Sequence, residues 1–188
     1  SRGADIARKM GFPDQTADTI RSLDEHWNGG GEPYGLRGEQ IPLLGRIACL
    51  AQTVEVYFST YGLSTALDIA RERSGKWFDP ELVNALMSVR HDTAFWQSMN
   101  SPNPRSALAA WEPEGHRLLV DDQQLDAIAE GFADVIDAKS PWTSSHSHGV
   151  ANAMVGILQV LGHDRSGIRY WRRAALLHDS GKLGVSNT

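Results

Sequence analysis

Apolar positions in this chain recur three and four residues apart almost from end to end, the spacing of one buried helix face. Between Leu44 and Tyr61 they fall at Leu44, Ile47, Ala51, Val54, Phe58 and Tyr61, which predicts one long helix with that stripe inward. A second helix is predicted from about Ser64, with Leu63, Ala66, Leu67 and Ala70 apolar and Gly75 as its stop. Asp79-Pro80-Glu81 reads as N-cap, first-position proline and first-turn acid, opening a helix that turns Leu82, Val83 and Leu86 inward. Upstream, Ile20, Leu23 and Trp27 share a stripe on a helix expected over about 15–27.

The pattern changes over 98–120, where Ser101-Pro102-Asn103-Pro104 and Glu112-Pro113-Glu114-Gly115 are turn-rich. The chain therefore divides into 1–97, a linker over 98–120, and 121–188. An acidic helix follows the linker, with Leu125, Ile128, Phe132, Val135 and Ile136 as its stripe, and Ser140-Pro141 breaks it. Two more helices are expected, over about 145–161 with Val150, Met154, Ile157, Leu158 and Leu161 inward, and over about 168–178. No segment alternates apolar and polar residues as a half-buried strand would, and no short repeat occurs. The predicted class is all-α.

Composition narrows the function classes. The chain has 188 residues and a net charge of −5, so the basic excess of a protein that wraps a nucleic acid polymer is missing. Hydrophobic residues make up 41%, enough for a real core and against wholesale disorder. A single cysteine, Cys49, excludes an internal disulfide and suits a reducing cytosol, the expected location. No apolar run is long enough for a membrane span, and no basic-then-apolar leader opens the chain. The chain begins at Ser1 rather than Met and stops just after its most informative motif, so it is expected to be part of a longer polypeptide.

That motif is Arg173-Ala174-Ala175-Leu176-Leu177-His178-Asp179-Ser180-Gly181-Lys182. An apolar helix runs into adjacent imidazole and carboxylate, which suit a divalent metal such as Mn or Fe. Lys182, one turn on, could meet a phosphate or supply a proton. The dipeptide alone is weak: seven His and fourteen Asp predict about half a His-Asp pair by chance, and the chain has three. His91-Asp92 and His163-Asp164 lie in polar surroundings and read as surface or cap residues. The Ala-Ala-Leu-Leu run before His178 and the Gly-Lys after Asp179 set the third apart. In Ser144-Ser145-His146-Ser147-His148, either histidine could be a third ligand or a helix-start residue. Gly29, Gly30 and Gly31 could cradle a phosphate through backbone N–H groups, but a permissive turn is the favoured reading. The six tryptophans are scattered and read as packing anchors rather than a base-stacking platform.

His146-Ser147 together with Ala174-Ala175-Leu176-Leu177-His178-Asp179-Ser180-Gly181-Lys182-Leu183-Gly184-Val185 resembles the opening half of an HD-GYP domain, a bacterial subgroup of the HD metal-dependent phosphohydrolases. The resemblance implies an all-helical HD-type bundle, two or three Fe or Mn ions in a complete domain, and cyclic di-GMP as substrate. It selects His146 over His148, and implies His146, His178 and Asp179 as metal ligands. It also implies Lys182 at the scissile phosphate, with Asp179 and Lys182 as the catalytic pair.

Residues 23–42 resemble the same family's closing half, whose His-His-Glu-x-x-Asp-Gly-x-Gly-Tyr-Pro stretch is matched by Glu25, Gly29, Gly31 and Pro33. Gly45-Arg46-Ile47-Ala48-Cys49-Leu50-Ala51 and Phe78-Asp79-Pro80-Glu81 continue the likeness. The paired histidines are Leu23 and Asp24 here, the tyrosine is Glu32, and a late Asp ligand is Gln52. Leucine and glutamine cannot replace imidazole and carboxylate at a divalent cation, so this first half is expected to be a degenerate, metal-free domain followed by the opening half of a second one.

The resemblance thus implies a cyclic dinucleotide phosphodiesterase in bacterial signalling, with this 188-residue stretch silent by itself because three ligands do not close a hydrolytic site. An HD hydrolase acting on other nucleotides keeps the same metals. A non-catalytic helical module that regulates or dimerises is the alternative, and a homodimer stays open as a partner. No membrane partner is expected.

Overall fold

The computed structural model describes residues 1–103, 120–139 and 145–185. The linker expected over 98–120 and the break at Ser140-Pro141 fall largely or wholly outside them. The described residues form nine α-helices and no strand, apart from two isolated bridges, Asn28 with Arg37 and Ser74 with Phe78. None of these helices is long and apolar enough to cross a membrane. The chain separates into two compact units: residues 1–17 with those from 120 onward, and residues 18–103. The sequence division gave 1–97 to one piece, whereas residues 1–17 pack with the later unit.

In the unit of residues 18–103, α3 (Leu43–Tyr61) and α4 (Leu63–Glu72) form a hairpin joined by Gly62, whose φ of 87° makes the single-residue turn. Helix α5 (Pro80–Ser88) opens as expected: the Asp79 carboxylate accepts from Glu81 N at 2.9 Å and Pro80 follows it. A short α6 (Thr93–Met99), capped by Asp92 through Phe95 N at 3.0 Å, was not expected from the pattern. Together they bury Cys49, Leu50, Val54, Ala66, Leu67, Ala70, Phe78, Val83 and Trp96.

The face that α3 buries differs from the predicted stripe. Gly45, Cys49, Leu50 and Val54 are inside, while Leu44, Ile47, Ala51 and Tyr61 are exposed. Gly45 decides the rotation: a Cβ there would lie 2.3 Å from Ser22 Oγ, so this edge of the helix is the one pressed against the preceding segment. The helix expected over 15–27 is shorter, α2 (Asp14–Arg21), and Trp27 instead sits in a turn, where its N–H donates to the Trp77 carbonyl at 3.0 Å.

In the other unit, α7 (Asp122–Ala138), α8 (His146–Val160) and α9 (Arg165–Leu177) pack on one another, and α1 (Arg2–Lys9), absent from the predicted elements, lies along α7. A capping box starts α7, with Asp121 accepting from Gln124 N at 2.8 Å and Gln124 Oε1 accepting from Asp121 N. The contact surfaces use small side chains: Ala129, Ala133, Ala151 and Ala175, with Leu176, make the core. Phe132, Val135, Ile157 and Leu161, expected inside, are exposed. Close helix approach leaves large residues no room at the seam, and Ile157 joins Val150, Met154, Leu158 and Trp171 around an open apolar cavity of about 550 Å³.

Helices α7 and α9 are tied by ion pairs. Asp126 receives Arg169 Nε and Arg173 Nε, each at 2.6 Å; Arg172 reaches Glu130 at 2.6 Å and Arg173 reaches Asp122 at 2.8 Å. This lattice fixes the helix whose end carries His178.

Candidate metal centre

His178 is the C-cap of α9, and Asp179 stands next to it at the entry to a 3₁₀ turn over Ser180–Gly184 that carries Lys182. Leu176, fully buried two residues earlier, anchors the helix end. His146 occupies the first position of α8. Two chain segments distant in sequence, one with His146 and one with His178-Asp179, thus deliver two imidazoles and a carboxylate whose ligand atoms all lie within 4.8 Å of one another.

The geometry centres on one oxygen. Asp179 Oδ2 is 3.3 Å from His178 Nε2, 3.6 Å from His146 Nε2 and 2.6 Å from Lys182 Nζ. His178 Nδ1 donates to the Ala175 carbonyl at 2.8 Å, so that in the neutral ring Nε2 is the nitrogen carrying the lone pair. A lone pair facing a carboxylate oxygen at 3.3 Å is repulsive unless a positive charge lies between or beside them. Two ligands about 2.1 Å from a shared ion stand about 3.0–3.4 Å apart at ordinary coordination angles; the 3.3 Å pair meets this, the 3.6 Å pair lies slightly outside it, and the donor types suit a divalent cation. The Lys182 ammonium holds the Asp179 carboxyl below the usual aspartate range; burial opposes this, and the nearby His178 and His146 add to it.

His148 takes no part. Its Nε2 donates to Asp134 Oδ1 at 2.8 Å, an oxygen pair that Lys9 also holds, at 2.8 Å on Oδ2. His163-Asp164 and His91-Asp92 behave as cap pairs: Asp164 accepts from Gly167 N at 2.8 Å to start α9.

The structure adds residues that no local sequence pattern singles out. Asp137, in what read as a solvated acidic helix, is buried and accepts from Ser147 N at 3.1 Å and Ser147 Oγ at 2.7 Å. Lys139 Nζ donates to the Lys182 carbonyl at 2.5 Å, and also to the Leu183 and Val185 carbonyls. These partners are 10 and 43 residues away, beyond any local pattern.

In the unit of residues 18–103 the glycine run is a tight turn, and the chain after it binds the buried Glu25 carboxylate. Glu25 accepts from Tyr34 N at 2.6 Å and Leu36 N at 2.8 Å, and Gly30 N is bonded to Asn28 Oδ1. Gly31 is required by close approach, since a Cβ there would lie 2.3 Å from His26 N and 2.4 Å from Asp24 O. Among the described residues, the His146, His178, Asp179 group is the one set of three or more such side chains placed to hold a metal.

Residues 1–82 match the HD domain family. Along 187 residues, all of this chain and 41% of the relative, the sequence is 41% identical to 3'3'-cGAMP-specific phosphodiesterase 3 of Vibrio cholerae serotype O1. A cyclic di-GMP phosphodiesterase of the same organism is 39% identical over 71 residues, 35% of this chain and 14% of that protein. A crystal structure of a cyclic GMP-AMP specific phosphodiesterase of V. cholerae superposes with a TM-score of 0.82 at 41% identity, covering 100% of this chain and 45% of that one. The chain therefore spans less than half the length of these relatives.

Proposed function

We propose that His146, His178 and Asp179 are ligands to a divalent metal in a bacterial phosphodiesterase that opens a cyclic dinucleotide, a reading supported by the match of residues 1–82 to the HD domain family and by the likeness to phosphodiesterases along the whole chain. The observation that carries this is the convergence of two imidazoles and one carboxylate whose ligand atoms lie within 4.8 Å, with His178 Nδ1 bonded to the Ala175 carbonyl so that Nε2 faces the site. Fe or Mn suits this mixed imidazole and carboxylate set. When bound, such an ion supplies Lewis-acid polarisation of a phosphate and an acidified water. Lys182 provides the mobile ammonium beside the same carboxylate, placed to balance charge that builds on phosphate oxygens or to give a proton to the leaving oxygen.

Three side chains are fewer than a hydrolytic centre uses, so further ligands belong to the full-length protein, and the 188-residue stretch alone is expected to bind metal weakly and turn over nothing. We read residues 18–103 as a degenerate closing half that serves as a scaffold. Among the described residues its positions Leu23, Asp24 and Gln52 form no ligand set, and Tyr34 N and Leu36 N, just after its glycine run, are taken up by the buried Glu25 carboxylate. Residues from 120 onward form the opening half of the catalytic domain. A cyclic dinucleotide is an intracellular signal, and the proposal places the chain in the cytosol.

The test is turnover by the full-length protein on 3'3'-cyclic GMP-AMP, cyclic di-GMP and ordinary nucleotides. Hydrolysis of a cyclic dinucleotide that His178→Ala abolishes supports the proposal, and the ratio of the first two substrates assigns the preference. Undiminished turnover in His178→Ala would sink the site assignment. Turnover confined to ordinary nucleotides would overturn the substrate class.

A further inference from the structure

We infer that Asp137 and Lys139, at the C-terminal end of α7, are positioning residues of the metal centre, one fixing the helix start that carries His146 and the other the turn that carries Lys182 and follows Asp179. The inference rests on the metal reading proposed above. Neither side chain supplies a ligand atom to that site; each acts through the backbone next to one.

Asp137 is 2% exposed and Ser147 is wholly buried. Burying a carboxylate is costly unless hydrogen bonds replace its water. Here the Ser147 N–H reaches both oxygens, at 3.1 and 3.3 Å, and the Ser147 hydroxyl donates to Oδ1 at 2.7 Å. The N-cap of α8, Ser145, makes no side-chain cap bond, so the first turn takes its acceptor from a neighbouring helix instead. That arrangement ties the backbone beside His146 to α7. A local cap would leave it free to move as a unit with α8.

Lys139 makes the matching tie on the other segment. Its ammonium gathers the Lys182, Leu183 and Val185 carbonyls at the end of the 3₁₀ turn, where a cation meets the negative end of the backbone dipoles. The same turn begins at Asp179 and places Lys182 Nζ on Asp179 Oδ2. Two arms from one helix end, two residues apart, thus hold the two chain segments whose approach sets the 3.6 Å between His146 Nε2 and Asp179 Oδ2.

The experiment is a Mn²⁺ titration of the full-length protein followed by electron paramagnetic resonance, on the unmutated chain, Asp137→Asn, Lys139→Met, Lys139→Arg and His146→Ala. Circular dichroism verifies that each variant is folded. Asp137→Asn and Lys139→Met are expected to weaken Mn²⁺ about 10–100-fold, the usual cost of removing an outer partner of a metal ligand. They should also broaden the bound Mn²⁺ signal, which a purely structural role would leave alone. Lys139→Arg, which keeps the cation, should recover most of the affinity. Wild-type affinity and line shape in folded Asp137→Asn and Lys139→Met would overturn the inference. An unmutated protein that binds no Mn²⁺ fails before any variant is compared, and would overturn the metal reading together with this one. If Asp137→Asn does not fold, Ser147→Ala, which removes only the hydroxyl bond, takes its place with the same expected weakening.

Discussion

Asp79→Ala removes two interactions at once from the core of residues 18–103. Oδ1 of Asp79 caps α5 through Glu81 N at 2.9 Å, and Oδ2 accepts from Arg46 Nη1 at 2.7 Å. The aspartate side chain is 4% exposed and the arginine 16%, so solvent screens this pair little. The guanidinium also lies 5.7 Å from the Trp27 ring centroid, and its Nε has no hydrogen-bond partner. Loss of the carboxylate leaves a buried charge uncompensated, a change that costs about 3–5 kcal/mol, with about 1 kcal/mol of it attributable to the cap. Asp79→Asn keeps an acceptor for Glu81 N and should cost about 1 kcal/mol less. Arg46→Met combined with Asp79→Asn should cost less than the two single changes added together, because neither charge is then stranded. Cys49 offers the assay. It is the chain's one thiol, it is buried in the same core, and burial together with the negative charge of Asp24 pushes its pKa up. Labelling by a thiol reagent therefore proceeds through opening of this unit. A loss of 3–5 kcal/mol accelerates labelling about 10²–10⁴-fold at tenfold per 1.4 kcal/mol. Acceleration of less than about tenfold would refute the assignment of Arg46 and Asp79 as a desolvated, interdependent pair.

Two further predictions concern the scaffold. The Asp126 carboxyl is held below the ordinary aspartate range: burial opposes this, and hydrogen bonds from Arg173 and Arg169 outweigh it. In that range the folded state binds fewer protons than the unfolded chain. The stabilisation is therefore complete above about pH 4 and is lost as pH falls through the native value. Asp126→Asn should lower stability near pH 7 and flatten this acid limb in urea titrations followed by circular dichroism, and an unchanged pH dependence would contradict the ion-pair account. Gly31→Ala drives a Cβ into the backbone of Asp24 and His26 and should cost about 1–3 kcal/mol, read as faster Cys49 labelling; wild-type labelling would contradict the close packing around Glu25.

How much was legible in the sequence follows the range of each interaction. His178, Asp179 and Lys182 lie within five residues on one helix end and turn, so an apolar run followed by His-Asp-x-Gly-Lys exposed them directly. His146 needed the family resemblance, because two histidines flank Ser147 and only the tertiary pairing of His148 with Asp134 separates them. Asp137 and Lys139 were invisible for the same reason. The all-α class was legible from the spacing of apolar residues, and the caps at Asp79 and Asp164 from short-range rules or polar context. The face of α3 was not: apolar residues occupy both sides of that helix, and Gly45 and Cys49, small residues that permit close approach, carry no weight in a stripe. Small residues also misled the reading of α7 and α8, where alanines make the seam and Phe132, Ile157 and Leu161 face outward.

The most direct measurement is anomalous diffraction at the manganese edge from crystals of the full-length protein equilibrated with Mn²⁺. The account predicts a peak within coordination distance, about 2.0–2.2 Å, of His146 Nε2, His178 Nε2 and an Asp179 carboxylate oxygen. An empty map at these three side chains, with Lys182 Nζ still seated on Asp179 Oδ2, would contradict it.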